Sequence, residues 1–244
     1  MRNLLITICY DGSAFHGWQV QKNALAVQQV LQDAIEAVFG ERLDVKGCSR
    51  TDSGVHANMY CCNFFTDMSI SCEGVVMALN TKLPKQIAVL SCREVEQDFH
   101  ARYNCKSKQY VYKLYNAKIR NPFYADYAYH YRWHIDEDYL NTEAQAFVGT
   151  HDFSGFCSSK SDVEDTVRTI SSISVKRDGD MVLFTVEADG FLYNMVRIIV
   201  GTLIFVNEGK IAQGELAEVI ESKCRKRAGK TAPPNGLYLN KVVY

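Results

Sequence analysis

The hydrophobic pattern changes period along the chain, and each change marks an element. Residues 4–10, LLITICY, form an apolar, β-rich run that Asp11-Gly12-Ser13 closes with turn chemistry. From 24 to 39, Leu25, Val27, Val30, Leu31, Ala34, Ile35, Val38 and Phe39 recur at helical spacing, with Gly40 where a C-cap belongs. LDVKGCS (43–49) and MYCCNFFT (59–66) read as strands. A helix follows over 71–81, capped by Ser69 or Ser71 and stopped before Pro84, and IAVLSCREV (87–95) is a strand. The order β-α-β-β-α-β is the split plan of the ferredoxin-like fold. Many RNA-binding modules present that sheet to single-stranded bases, although the plan also carries unrelated chemistry.

The second half begins with a strand of alternating aromatics, KQYVYKLYN (108–116). Asp136 or Asp138 caps a helix running to Val148. Residues 166–188 form two strands joined at Asp178-Gly179-Asp180, a strong hairpin signal. Phe191 to Val206 is nearly all apolar around Arg197 and predicts a buried helix; a short amphipathic helix over 212–222 and a last strand, 237–244, follow. No Gly/Ser/Pro linker separates the halves. The expected division is 1–104 and 105–244: two α/β halves of an α+β fold, with mixed, mainly antiparallel sheets meeting at a central cleft.

Length and composition sharpen this picture. A chain of 244 residues, 47% hydrophobic, can bury a substantial core without disulfides or metal staples. No run approaches the roughly 18–20 apolar residues that span a bilayer, and MRNLLITICYDG lacks a secretory signal, so a cytoplasmic protein is expected. The nine cysteines include no C-x-x-C pair, which predicts reduced, mostly buried thiols and no structural zinc site. His130 and His134 are four apart, but Tyr129, Tyr131 and Trp133 alternate around them like a strand, so no metal is expected there. The net charge of −1 conceals a strong asymmetry. Residues 105–125 carry five cations and no acid, 222–244 carry six and no acid, and 136–165 hold eight carboxylates and one Lys.

Three features carry candidate chemistry. GCSRTDSGVHA (47–57) packs Arg50, Thr51, Asp52, Ser53 and His56 into seven positions between strands. An Arg close to an Asp keeps the carboxylate ionised, and the lack of a second nearby carboxylate argues against paired-acid glycoside hydrolysis. Arg197 on an apolar helix calls for a carboxylate or phosphate to meet it. The Gly-flanked loop in YDGSAFHGWQ (10–19) carries His16, Trp18 and Gln19 and reads equally as a packed turn or a base-contacting loop.

Together these segments resemble the tRNA pseudouridine synthase A family, in order and over essentially the whole chain. YDGSAFHGWQ matches its Y-D-G…F-x-G-W-Q, GCSRTDSGVHA its G-x-x-R-T-D-x-G-V-H-A, and FHAR (99–102) its F-H-A-R. Tyr110 and Tyr112 match its Y-x-Y, HDFSGF (151–156) its H-D-F-x-x-F, FLYNMVRIIVG (191–201) its F-x-x-x-M-V-R-x-x-V-G, and PPNGLYL (233–239) its P-x-x-G-L-Y-L. Cys48, Ser49 and Ser53 stand where Ala and Gly are more usual.

The resemblance implies Asp52 as the catalytic nucleophile, Tyr110 as the ring that stacks on the target uracil, and Arg197 as the partner of the catalytic carboxylate. Arg50, proposed to help extrude the target nucleotide, and His56, Gln19, Arg102, Arg168 and Leu237 are the implied substrate contacts. It also implies uridine isomerisation at positions 38–40 of the tRNA anticodon arm, a homodimer cradling one tRNA, and neither metal nor organic cofactor. A single carboxylate suffices because uracil leaves as a delocalised anion. An ionised Asp can then attack C1′ or abstract the 2′-hydrogen, and the sequence does not choose. Two rivals remain: the same chemistry on ribosomal or another structured RNA, and a non-catalytic RNA-binding module. The intact Asp52, Tyr110 and Arg197 speak against the latter.

Overall fold

A computed structural model describes residues 1–158 and 164–244. Lys160 and Asp162, two of the charges counted above, lie outside the described residues. The chain divides into two compact units, one of Met1–Lys106 with Tyr238–Tyr244 and one of Ser107–Leu237.

The first unit follows the split plan. β1 (Arg2–Tyr10) pairs antiparallel with both β3 (His56–Thr66) and β4 (Ile87–Val95), and a two-residue β2 (Lys46–Gly47) pairs antiparallel with the later part of β3. That is the ferredoxin-like order β4-β1-β3-β2. β10 (Leu237–Val243) returns from the far end of the chain and runs parallel to the start of β3, Tyr238 opposite His56.

Alternation gives the sheet two different faces. Leu4, Ile6 and Ile8 share one face with their partners Phe64, Cys62 and Tyr60. α1 (Val27–Phe39) buries Val27, Leu31, Ala34, Ile35 and Phe39, and Phe39 meets Phe64 edge-on at 5.4 Å. Each fully buried Val, Leu, Ile or Phe among them contributes about 1.5–3 kcal/mol. Asn3, Thr7, Cys61 and Asn63 point to the other face, which is correspondingly more polar.

α1 starts three residues later than its periodicity suggests. Ala26 is extended, and the first helical N–H groups, of Val27 and Gln28, donate to the carbonyls of Gly17 and Trp18. The loop after β1 therefore caps the helix. Its end is as expected: Gly40 is left-handed (φ +78°), and its N–H donates to the Glu36 carbonyl. Ser71 caps α2 (Cys72–Asn80) by accepting the Gly74 N–H.

In the second unit β5 (Ser107–Tyr115), β9 (Met181–Ala188), β8 (Val167–Asp178) and β7 (Gly149–Asp152) lie side by side, each pair antiparallel. β6 (Tyr129–His130) runs parallel to the end of β5. Tyr110, Tyr112 and Leu114 share the buried face with their β9 partners Val186, Phe184 and Val182. The β8–β9 hairpin turns through Gly179 (φ +56°) and Asp180. Asp136 caps α3 (Glu137–Ala144), and the run to Phe147 finishes as a 3-10 turn.

α4 (Met195–Asn207) is buried over most of its length and begins four residues later than its apolar run, because Asn194 is left-handed (φ +63°). α5 (Leu216–Glu221) is shorter than the amphipathic pattern. Among the described residues no helix is long and apolar enough to cross a membrane. Of the nine cysteines, Cys48, Cys61 and Cys62 are fully buried, Cys224 is exposed, and the rest are half-buried.

Candidate active site

Asp52 lies in the loop that joins β2 to β3, and the loop is held on every side by its own unit. At its start the Cys48 N–H donates to the Cys61 carbonyl at 2.9 Å. The Tyr60 hydroxyl donates to the Ser49 carbonyl, and burial pushes its pKa well above the usual phenol value, so it remains a donor. Tyr10 and Thr51 share a hydroxyl hydrogen bond of 2.8 Å, and the Trp18 N–H donates to the Thr51 carbonyl at 3.1 Å. Beyond Asp52, the Val55 N–H donates to the Asp52 carbonyl and the Gly54 N–H to the Phe15 carbonyl. Asp52 itself is half-buried, Arg50 is exposed and Thr51 is buried.

The clamp explains the YDGSAFHGWQ segment. The 3-10 turn Gly12–Ala14 and the Phe15–Trp18 stretch lie against the Asp52 loop, so two glycines there cannot carry side chains. A Cβ at Gly12 would sit 2.0 Å from the Val55 carbonyl oxygen, and one at Gly17 would sit 2.5 Å from that of Thr51. Trp18 is buried and stacks on Tyr60 with centroids 4.0 Å apart, an aromatic floor under the loop. Gly47 in turn gives room to Trp18 and the Tyr60 hydroxyl. The packed-turn reading thus holds for Trp18, whereas His16 and Gln19 are exposed.

His56 is buried, at 1% exposure. Its Nδ1 accepts the Gly12 N–H at 3.0 Å, Asp11 Oδ1 stands 3.3 Å away, and the ring stacks on Tyr238 at 4.6 Å. It thereby ties the loop after β1 and the returning β10 to the start of β3. Arg102 is exposed beside Tyr103, in the turn that follows Phe99.

The remaining candidates belong to the second unit. Tyr110 is buried on β5, its ring edge-on to Phe191 with centroids 5.1 Å apart. Arg197 is half-buried in the first turn of α4. Its Nε donates to the Ala232 carbonyl at 2.7 Å and its Nη1 to Asn194 Oδ1 at 2.6 Å, while its own carbonyl accepts the Ala232 N–H. Segment 229–232 reaches α4 only because two glycines meet there. A Cβ on Gly201 would lie against the Lys230 carbonyl oxygen, and one on Gly229 against that of Gly201. Tyr112 donates to the Pro233 carbonyl, and the nearby Arg197 charge partly offsets the upward push of burial on its phenol.

Leu237 is buried after the Pro234–Gly236 turn, where Gly236 permits contact with the Lys113 carbonyl. Arg168, half-buried on β8, donates to the Val167 carbonyl and lies 3.8 Å from Asp165. Several cations of the last basic run are already engaged: Lys223 with Asp152, Arg227 with Glu215, and Arg225 with the Gly229 carbonyl. Among the described residues no three His, Cys, Asp or Glu side chains gather where a metal ion could be held.

Two groups of supporting residues had weak sequence signals. Tyr10 and Tyr60 read as strand aromatics, yet their hydroxyls fix the Asp52 loop. Gly201 stands out only as the last position of the matched FLYNMVRIIVG and Gly229 not at all, yet the two set the approach that orients Arg197.

Comparison with known proteins places these features in context. The family model for tRNA pseudouridine synthase matches residues 6–104 and 144–244. The tRNA pseudouridine synthase A of Thermoanaerobacter sp. (strain X514) is 46% identical over 244 residues, covering 100% of both chains. That of Acetivibrio thermocellus is 47% identical, again over 100% of both. Among solved structures, the crystal structure of the archaeal box H/ACA sRNP Nop10-Cbf5 complex is similar at 13% identity, with a TM-score of 0.38 over 83% of this chain and 42% of that one.

Proposed function

Since the chain belongs to the tRNA pseudouridine synthase A family and is therefore an isomerase of tRNA uridine, we propose that it modifies positions 38–40 of the anticodon arm with Asp52 as nucleophile. The observation that carries the assignment to Asp52 is the clamp around it. Backbone groups on both sides of this residue are hydrogen-bonded to Phe15, Trp18 and Tyr60 or within the turn itself, and the Thr51 hydroxyl is hydrogen-bonded to that of Tyr10. A carboxylate on a loop fixed in this way reaches its reacting carbon without first ordering the loop, which lowers the barrier through orientation.

In this reading Asp52 attacks C1′ as the N1–C1′ bond breaks and uracil departs as an anion. The base turns over and C5 bonds to C1′, displacing the carboxylate. The C5 proton is then lost with Tyr110 as relay, and N1 takes up a proton, so the product is an isomer of the substrate. Arg197 supplies the compensating charge for Asp52, and Arg50 takes the place of the extruded nucleotide. The target base lies in stacked RNA and must be flipped out, which a Tyr110 platform offsets. His56, Gln19, Arg102, Arg168 and Leu237 complete the RNA contacts. We further read the active form as a cytoplasmic homodimer that binds one tRNA without a cofactor.

Carbodiimide mapping of a tRNA transcript and of ribosomal RNA, each incubated with the protein, tests this reading. Reverse-transcription stops are expected at positions 38–40. Stops confined to another arm would refute the anticodon assignment, and stops only in ribosomal RNA would establish the rival substrate.

A further inference from the structure

Away from the Asp52 loop, the first unit holds a second surface segment just as firmly. Residues Phe99–Asn104 cross the more polar sheet face, and all six of their backbone N–H groups have acceptors. Phe99 donates to the Glu96 carbonyl, and Tyr103 and Asn104 both donate to that of His100. His100 donates to Asn104 Oδ1, Ala101 to Asn63 Oδ1 and Arg102 to His100 Nδ1. The Phe99 carbonyl accepts from the side-chain amides of Asn3 and Asn63, which are themselves hydrogen-bonded and completely buried. Tyr244 donates to the Ala101 carbonyl and packs its ring on Phe99. Burying two amides is favourable only when each is satisfied, as both are here.

What this framework presents is a group of planar side chains. The rings of His100 and Tyr103 lie 4.4 Å apart at 40°, and the Arg102 guanidinium sits 5.9 Å from the Tyr103 centroid. Tyr103 is 77% exposed, so its ring is not part of the core. Burial first, and then the charges of Lys46 and Arg102, hold the His100 pKa below the usual value against the weaker pull of Asp44, so cations outweigh the nearby acid here. An exposed ring on a hydrogen-bonded backbone beside cations is the arrangement that stacks nucleobases in proteins that bind single strands.

We propose that His100, Arg102 and Tyr103 form a stacking platform for an unpaired nucleobase of the RNA substrate, with Lys46 adding phosphate attraction. This rests on the reading of the chain as an RNA-modifying protein and adds a contact outside the reacting uridine. A second copy of the chain is the competing occupant, but cations gathered around a π surface match polyanionic RNA better than a self-complementary apolar contact.

The test is binding, measured apart from turnover. A fluorescein-labelled single-stranded oligouridine, the same length of duplex RNA and a tRNA transcript are titrated against the full chain, wild type, Tyr103→Ala and Tyr103→Phe. Tyr103→Ala is expected to weaken single-strand binding about tenfold, whereas Tyr103→Phe keeps it. Arg102→Gln is expected to lower the slope of log affinity against log salt by about one. Unchanged affinity in Tyr103→Ala, an equal loss on duplex RNA, or a Phe variant as weak as the Ala variant would each overturn the proposal. A change in oligomeric state with RNA affinity intact would assign the surface to a second copy instead. A wild type that binds RNA through Tyr103 yet never isomerises uridine would contradict the function and leave the platform standing.

Discussion

Replacing Gly17 by Ala tests whether the loop after β1 really holds Asp52 in place. Two effects arise and they can be separated. Gly17 has φ +84°, so any Cβ costs about 1–2 kcal/mol in conformation alone. The new Cβ would also lie 2.5 Å from the Thr51 carbonyl oxygen, about 0.9 Å short of the 3.4 Å at which ordinary contact begins, and 3.2 Å from the Asp52 carbonyl carbon. Thr51 is fixed by Tyr10 and by the Trp18 N–H, so relief has to come from displacing the Thr51–Asp52 peptide. A misplacement approaching 1 Å at a reacting group costs on the order of 100-fold in rate. Gly40→Ala is the control: φ is +78° there, but nothing lies within 4 Å of its Cβ. Gly40→Ala should lose only the conformational cost in urea and Gly17→Ala more than that, and only Gly17→Ala should lose about 100-fold in single-turnover pseudouridine formation at saturating tRNA. A Gly17→Ala enzyme within threefold of the Gly40→Ala rate would refute the clamp.

Two further predictions concern groups away from the reacting atoms. Tyr60→Phe keeps the stack on Trp18 but removes the Tyr60 hydrogen bond to the Ser49 carbonyl, and should destabilise the chain by about 1–2 kcal/mol in urea. The Asp152 carboxylate is held well below its ordinary value of 3.8, first by the Thr166 hydroxyl and then by Lys223. A lowered carboxylate adds stability that is complete above its unfolded value and is lost as pH falls. The melting temperature of the wild type should therefore drop more steeply below about pH 4 than that of Asp152→Asn, and parallel curves would remove the pair from the stability account.

Much of this architecture was legible from spacing. The alternation in LLITICY places Leu4, Ile6 and Ile8 on one face, and the helical recurrence from Val27 to Phe39 supplies the side chains that cover it. Ser71, Asp136 and Gly40 act as the capping residues their positions suggest, because capping depends on a few adjacent backbone groups. The RTD loop stood out because reactive residue types crowd between two glycines.

What escaped was set by contacts distant in sequence. LDVKGCS alternates like a strand, but only Lys46 and Gly47 pair, because Gly47 is pressed against Trp18 and Tyr60 and the chain then turns away. The first turns of α1 and α4 are displaced by Gly17-Trp18 and by left-handed Asn194, neither of which changes hydrophobic periodicity. A strand pattern over 237–244 says nothing of its partner, and β10 lies beside β3, with Tyr238 paired to His56 from the other end of the chain. Asn3 precedes the LLITICY run and Asn63 sits inside MYCCNFFT, and nothing in the pattern singles out either. In the fold they are the anchors of a surface turn.

The most direct test of the central claim is tritium release from tRNA carrying 5-³H-uridine, with wild type and Asp52→Ala side by side and their folding matched by melting temperature. The wild type should release tritium from the anticodon arm to completion, because forming the new bond at C5 expels its hydrogen. The Asp52→Ala variant should release none above the enzyme-free rate. Release by both would show that Asp52 does not carry the reaction, and release by neither would show that the chain is not a uridine isomerase.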